Sequence, residues 1–323
     1  MLTTQCLAQV NVSTQLTYWN DHIDFKSKNQ IKLLDDEVIA SFNQGNTQKL
    51  ISLFSDTLKK ITGNSIPGFM DQVHPLITGL SYDLLDEYFV KSSGTGGSAT
   101  VFKSMSEDND YKINYPIVTK ETYISLIVYK GPIRQFLFTC IYGKYGENWK
   151  LNALRMGPYK IFGKNSVDLY KQSKEYFNQG DLMDAKIYIL LAQETSLPAN
   201  KAFVYFKLDE MMAFNQKLSE EGKAKFPLPM NITQVSTSPQ IFSVEPVVLK
   251  EGIFPSVKYL TTVPLKDTTA LKVENEEIKK VIGEVFPGID KNKKYVFFKA
   301  YNQIPNSKNA VPTYGFMLKQ KEN

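Results

Sequence analysis

Two similar stretches of sequence, FNQGN at residues 42–46 and FNQGD at residues 177–181, decide the architecture that the chain predicts. Each lies between two segments whose apolar residues recur at helical spacing. Gly45 and Gly180 tolerate the left-handed conformation that ends a helix, and the Asn or Asp that follows is a good N-cap for the next helix. The sequence therefore predicts two helical hairpins that lie far apart along the chain.

Composition places the chain among folded globular proteins. It has 323 residues, of which 42% are hydrophobic and 22% charged, so we expect two or three domains. The net charge of +5 is spread over many lysines. The densest cluster, Lys291, Lys293 and Lys294, accompanies no nucleic-acid motif, and we interpret it as a solvated turn. We therefore expect no nucleic-acid partner. No stretch reaches the roughly 18 apolar residues of a membrane span, so we also expect no transmembrane segment.

Cysteines and histidines are too few and too scattered for a metal site. Cys6 and Cys140 share no ligand spacing with each other or with His22 and His74. Cys140 lies in an apolar run, where a cysteine is usually a small core residue. Nucleophile elbows, dinucleotide fingerprints and calcium loops are also missing from the sequence. We therefore predict no metal and no cofactor.

The N-terminus resembles the end of a secretory signal peptide. Cys6 and Ala8 would be the small residues before a cleavage site at Gln9, although the charged and long apolar regions of a signal are missing, so the signal would be truncated. A lipidated Cys6 is a second possibility. We predict a leader or extended arm over residues 1–32 and an exported protein, periplasmic or on the cell surface, with a cytoplasmic protein as the alternative.

Residues from Leu33 onwards show three helical segments. The first begins at Leu33, and the second covers 46–61 without a break. In the third, Pro67 suits the first helical turn, while Pro75 predicts an interruption.

An antiparallel sheet is predicted to follow. Alternating apolar residues predict five strands, at 99–105, 111–119, 123–130, 133–142 and 149–156. We expect the last strand to end at Gly157-Pro158 and the Gly-rich segment 91–98 to be a loop. On the fourth strand Phe136, Phe138, Cys140 and Tyr142 share one face, which helices would cover.

This order of helices and strands resembles the cone fold of the nuclear transport factor two superfamily, which includes ketosteroid isomerase and scytalone dehydratase. The likeness spans residues 33–163, and the sequence from Asp36 to Phe54 is similar to small exported bacterial members. The resemblance implies a cup between the helices and the sheet in which a ligand binds or a reaction occurs.

Two functions follow from that resemblance. The leading hypothesis is a non-catalytic binding or interaction module of the bacterial cell envelope. The module would bind either a small apolar ligand in its cup or an unknown protein. A homodimer would form through the sheet. The expected binding residues are aromatic: Tyr82, Phe136, Phe138, Tyr142 and Trp149.

The rival hypothesis is a small-molecule isomerase or dehydratase. His74 with Asp71 or Asp86 would be the general base and Tyr123 a hydrogen-bond donor. This hypothesis requires His74 or Asp86 to point into an enclosed cavity near a tyrosine.

The remaining sequence predicts a helical spacer over 164–226 and a small α+β domain over 227–323, so the fold class is α+β. Tyr176, Gly180, Ala185, Ala192 and Pro198 make the second hairpin similar to one tetratricopeptide repeat. One such repeat cannot form a solenoid groove, so we favour a helical spacer, with a peptide-binding groove as the alternative. The spacer includes a third helix at 201–219. The last domain contains one helix at 274–286 and strands at 240–250, 256–264, 295–301 and 312–318.

Overall fold

A computed structural model describes residues 14–291, 293–306 and 311–319. The fold class is α+β, as predicted. The chain forms two compact units. The first contains residues up to Gly131, together with Gln135–Tyr159 and Leu197–Val204; the second contains Pro132–Arg134, Lys160–Ser196 and the chain from Tyr205. The expected leader cleavage and the lipidation of Cys6 concern residues outside those described.

The described residues form helices and strands in an order that largely follows the sequence pattern. The helices are α1 (Phe25–Asn43), α2 (Thr47–Ser52), α3 (Asp56–Thr62), α4 (Ile66–Ile77), α5 (Ser166–Asn178), α6 (Leu182–Glu194), α7 (Leu208–Lys225) and α8 (Thr268–Val285). The strands of the first unit are β1 (Gln15–Trp19), β2 (Ser81–Ser92), β3 (Ser98–Val101), β4 (Tyr111–Pro116), β5 (Glu121–Lys130), β6 (Arg134–Tyr145), β7 (Asn148–Ile161), β8 (Pro198–Lys201) and β9 (Phe203–Tyr205). The later strands are β10 (Met230–Asn231), β11 (Gln240–Leu249), β12 (Gly252–Leu260), β13 (Tyr295–Tyr301) and β14 (Tyr314–Lys319).

Three sheets organise these strands. The largest sheet of the first unit has the order β1-β2-β5-β6-β7, and a smaller one has the order β3-β4-β9. The pair β5–β6 is antiparallel, as expected. The sequence pattern did not predict β1 or β2, which pair antiparallel with each other, and β2 also pairs antiparallel with β5. The third sheet has the order β10-β11-β12-β13-β14. There, β12 and β13 run parallel, and α8 connects them.

Both predicted helical hairpins are present. Gly45 follows α1 with a φ of +61°, and Gly180 follows α5 with a φ of +83°. The Asn46 side chain accepts a 2.9 Å hydrogen bond from the N–H of Lys49 and caps α2. Asp181 occupies the N-cap position of α6 without such a bond. The two glycine turns and the hairpins around them were therefore predicted correctly from the sequence.

The N-terminal segment is more structured than predicted. β1 pairs with β2, and α1 begins at Phe25 rather than Leu33. The carboxylate of Asp24 caps this helix by accepting a 2.9 Å hydrogen bond from the N–H of Ser27. The prediction of an extended arm as far as residue 32 is therefore wrong for these elements, because the cap lies earlier than the apolar pattern suggested.

The predicted continuous helix at 46–61 is also wrong. α2 ends at Ser52, and α3 begins at Asp56. Between them Leu53 accepts a backbone hydrogen bond from Leu151, and the N–H of Ser55 donates one to the carbonyl of Leu151. The chain leaves the helix here because its backbone pairs with β7.

Two prolines do not interrupt the elements that contain them. α4 continues through Pro75 because Ile66, Met70, Val73 and Ile77 on its inner face are all buried, which offsets the cost of the proline. β7 continues through Gly157-Pro158 to Ile161. A proline is tolerated there because β7 lies at the edge of its sheet.

The core of the first unit lies between the helices and the large sheet. Phe42 of α1 packs edge-on against Phe138 of β6, with ring centroids 5.0 Å apart. Phe138, Cys140 and Tyr142 belong to this core and Phe136 packs against it, as predicted. On the other face of the sheet Leu137 is also fully buried. A homodimer through the sheet stays a prediction.

The second unit contains the α5–α6 hairpin, α7 and the β10–β14 sheet. Ser173 and Ser166 of α5 each donate a 2.6 Å hydrogen bond to a carbonyl of α6, those of Ala185 and Ala192. Small residues thus mark the contact between these helices. α7 begins at Leu208 rather than near Lys201, because β8 and β9 come first.

Lys293 corrects the interpretation of the lysine cluster. Its ammonium lies 2.7 Å from the carboxylate of Asp184, and both side chains are largely buried. A solvated turn is therefore the wrong description of this lysine. Among the described residues, no helix combines the length and the apolar character that a bilayer span requires.

Candidate functional site

An apolar pocket of the first unit lies between α1 and the large sheet, and we call it the α1 pocket. Its volume is about 430 Å³. The wall from α1 consists of Phe25, Lys28, Asn29, Lys32, Asp35, Asp36 and Ile39, and the wall from the sheet consists of Tyr82, Leu84, Glu87 and Ile127. The α1 residues line one side because residues three or four apart share a helix face.

Asp35 is a buried carboxyl in this wall. Its residue exposure is 6%, and the hydroxyl of Tyr142 donates a 2.6 Å hydrogen bond to its Oδ1. Burial raises the pKa of the Asp35 carboxyl to about 7, although the Tyr142 hydrogen bond acts in the opposite direction. The negative charges of Glu87 and Asp36 add to the increase. Asp35 therefore exchanges a proton near neutral pH.

Glu87 is the second buried carboxyl of the pocket, on β2. The hydroxyl of Tyr123 donates a 2.6 Å hydrogen bond to its Oε1, and the ammonium of Lys28 lies 3.2 Å from its Oε2. The side-chain oxygen of Asn20 accepts a 2.8 Å hydrogen bond from the Glu87 N–H. These contacts hold the carboxylate in one position between α1 and the sheet.

The charges of the α1 pocket do not balance. Lys28 pairs with Glu87, and Lys32 pairs with Asp36 at 2.7 Å. Asp35 has no ion-pair partner among the residues that the structure describes. Both lysines are already paired, so Asp35 is the buried carboxyl of this pocket that has no cation beside it.

The predicted aromatic binding residues divide into two groups. Tyr82 lines the α1 pocket, and its hydroxyl lies 3.4 Å from Oδ1 of Asp36. Tyr142 contributes through its hydrogen bond to Asp35. The other three belong to the core beneath: Phe138 and Trp149 are buried, and Phe136 packs against them. The sequence pattern identified the sheet face that carries the pocket but not most of its lining.

The three predicted catalytic residues lie in separate places. His74 of α4 lies against the α1–α2 turn, where its Nδ1 is 2.7 Å from the carbonyl oxygen of Phe42. Asp86 points away from the α1 pocket, next to a smaller pocket of about 130 Å³ that Tyr88 and Lys103 also line. Tyr123 faces the helices and donates to Glu87. The structure therefore does not bring His74, Asp86 and Tyr123 together.

Sequence reasoning missed Asp35 and Glu87, although Asp35 left a signal. Asp35 falls on the stripe of α1 that otherwise carries Ile31, Val38 and Phe42, all of which are fully buried. A carboxylate on the buried stripe of an amphipathic helix lowers the stability of the fold unless it is hydrogen-bonded. Such a position identifies a candidate functional carboxyl.

Within the described ranges, no group of three or more His, Cys, Asp and Glu side chains is arranged to hold a metal ion. The free thiol of Cys140 is buried, which raises its pKa well above the ordinary value.

Comparisons with known proteins do not extend this description. The chain matches no protein-family model, no curated protein and no solved structure.

Proposed function

We propose that the first unit is a binding module whose α1 pocket takes a small, mainly apolar molecule that carries one amine. The observation that carries this proposal is Asp35, a buried carboxyl without a cation in the wall of an apolar pocket. A cation brought to this carboxyl gains attraction because the carboxyl is buried, where charges interact more strongly than in water. An apolar body gains by covering the pocket walls.

The mouth of the α1 pocket supports an apolar ligand. Phe25 is 80% exposed and Leu84 is 48% exposed, and both line the pocket together with the buried Ile127. At about 30 Å³ for each water-sized group, the pocket holds roughly 14 such groups. A ring with a short alkylamine chain therefore fits.

The test compares two ligands that differ in one polar group, phenylbutylamine and phenylbutanol. We expect the amine to raise the melting temperature of the full chain more than the alcohol, because binding to the native state stabilises it. The Asp35→Asn variant should lose this difference, since Asn retains the shape and removes the charge. Asp71→Asn is the matched control, because Asp71 is exposed on α4 and lies outside the pocket.

Two results would contradict the binding proposal. Equal shifts for the amine and the alcohol would show that the carboxyl does not recognise the ligand. An amine preference that survives in Asp35→Asn would place the amine elsewhere.

A second candidate function rests on the pKa of about 7 for Asp35. A carboxyl that titrates near neutral pH in an apolar pocket suits general acid–base catalysis. In an isomerase, the Asp35 carboxylate would remove a proton from the α carbon of a β,γ-unsaturated ketone and return it to the γ carbon. The relevant residues would then be Asp35 and the pocket around it rather than His74 and Asp86.

The isomerase candidate has its own readout. A β,γ-unsaturated cyclohexenone would be converted to the conjugated enone, which is followed by its ultraviolet absorbance. Turnover that is present in the wild type and in Asp71→Asn but lost in Asp35→Asn would support catalysis. Amine binding without turnover would leave the binding module as the function.

We also propose three relationships that the sequence first suggested. The helices followed by an antiparallel sheet support a relationship of residues 33–163 to the cone fold. The α5–α6 hairpin with its buried Ala185 and Ala192 supports the likeness to a tetratricopeptide repeat. The pattern around Cys6 and Ala8 supports export to the cell envelope, and mass spectrometry of the mature N-terminus of the expressed protein tests it.

A further inference from the structure

A second pocket lies within the other unit, and we call it the lysine pocket. It has a volume of about 270 Å³ and is lined by parts of α6, α7, β11 and the segment after α7. Its walls are mostly apolar and include Leu182, Met183, Leu218, Phe226, Phe242 and Val244. Such a mixture of aliphatic and aromatic side chains is typical of sites for small ligands.

Both charged side chains of the lysine pocket are cationic. Lys186 of α6 and Lys223 of α7 line it, and no carboxylate does. Ser219 lies one turn before Lys223 on α7, and its Oγ is 3.4 Å from Nζ of Lys186. This polar end of the pocket therefore presents two ammonium groups and one hydroxyl.

Two carboxylates of these helices are paired with lysines outside the pocket. Asp184 pairs with Lys293 at 2.7 Å, and Glu221 lies 3.9 Å from Lys217. Within the described part of the chain, neither lysine of the pocket has an ion-pair partner. Burial and then the charge of Lys223 lower the pKa of the half-buried Lys186. The two lysines thus line one pocket without a counter-charge.

We propose that the lysine pocket binds an amphiphilic carboxylate, a medium-chain fatty acid, with its carboxylate between Lys186 and Lys223 and its chain against Phe226 and Phe242. At about 30 Å³ for each water-sized group, the volume corresponds to roughly nine groups, which matches an acid of about eight carbons. The carboxylate supplies the missing counter-charge, and the hydroxyl of Ser219 is a hydrogen-bond donor for it. This proposal is independent of the α1 pocket.

The test is calorimetric titration of the full chain with octanoate. Octanol keeps the chain without the charge, and acetate keeps the charge without the chain. We expect octanoate to bind at least about tenfold more tightly than either. Equal binding of octanol would overturn the role of the lysines, and equal binding of acetate would overturn the role of the apolar walls.

Variants then locate the site. Lys186→Met and Lys223→Met should each weaken octanoate binding about tenfold, whereas Lys186→Arg keeps the charge and should bind well. Lys217→Met is the matched control, since it removes one charge from α7 outside the pocket. Lys223 is exposed, so its variant tests the proposal even if Lys186→Met does not fold.

Asp35→Asn separates the two ligand sites. It should leave octanoate binding unchanged, and loss of octanoate binding in this variant would overturn the assignment to the lysine pocket. Octanoate binding that is unaffected in both Lys→Met variants would do the same.

Discussion

Tyr142 and Asp35, which are 107 residues apart in the sequence, are joined by a 2.6 Å hydrogen bond from the phenolic hydroxyl to the carboxyl. Both side chains are buried, and the bond connects α1 to β6. It gives the buried carboxyl a hydrogen-bond donor, and leaving such a group unsatisfied costs roughly 1–3 kcal/mol or more. The same contact therefore holds the helix on the sheet and positions the carboxyl of the α1 pocket.

Asp35→Asn should alter the dependence of stability on pH. The Asp35 carboxyl has a pKa of about 7 in the folded protein, whereas its ordinary pKa, which applies in the unfolded chain, is 3.8. Asp35 thus binds more protons in the native state in this window, so its contribution to the free energy of unfolding falls as pH rises from about 4 to 7. The difference between wild type and variant should change by about 1.4 kcal/mol per pH unit there at most.

Urea unfolding at several pH values measures this difference. Asp71→Asn, a change at an exposed carboxylate of α4 outside the α1 pocket, is the control and should show no such trend. A constant difference between wild type and Asp35→Asn from pH 4 to 8 would disprove the raised pKa.

Tyr142→Phe should be destabilising, and more so at high pH. The lost hydrogen bond costs about 1–3 kcal/mol when Asp35 is ionised, because the acceptor is then charged. Tyr129→Phe is the matched control on the same sheet face, since the buried Tyr129 hydroxyl has no hydrogen-bond partner among the described residues. Urea unfolding at pH 5 and pH 8 should show a large, pH-dependent loss for the first variant and little for the second. Equal losses for the two variants would contradict this account.

Lys293→Met should destabilise the second unit by about 3–5 kcal/mol, because it leaves the buried carboxylate of Asp184 without its partner. The double variant Asp184→Leu with Lys293→Met should recover most of this loss, since no buried charge remains. Glu221→Gln breaks the more exposed pair with Lys217 and should cost less than about 1 kcal/mol. A double-mutant cycle by urea unfolding checks all three; purely additive effects would exclude the coupling.

Gly157→Ala should be destabilising by about 1–3 kcal/mol. A Cβ on this residue of β7 would lie 2.5 Å from the carbonyl oxygen of Pro198, and a backbone atom cannot move aside easily.

Gly222→Ala is the opposite case, because Gly222 lies inside α7 and the added Cβ would meet nothing within 4 Å. It should stabilise by about 0.5–1 kcal/mol. Thermal unfolding of both variants checks the pair, and a neutral Gly157→Ala would show that β7 and Pro198 separate readily.

Local signals were sufficient for much of the secondary structure. The two Gly turns, the alternation on β6 and the span of β13 all follow from backbone preferences and side-chain periods of one segment at a time. The elements that local patterns missed depend on distant partners. The break between α2 and α3 arises from backbone pairing with Leu151, and β7 passes Gly157-Pro158 because it is an edge strand.

The candidate sites divide in the same way. The sequence by itself determined the α+β class, the two hairpins and the sheet face that carries Phe138 and Tyr142, because each depends on the period of neighbouring residues. Only the tertiary structure decided that Asp35 meets Tyr142, that Glu87 meets Tyr123 and Lys28, and that Lys186 and Lys223 share a pocket without a carboxylate. The physical reason is that charge balance and burial depend on groups from separate elements, whose approach no single segment encodes.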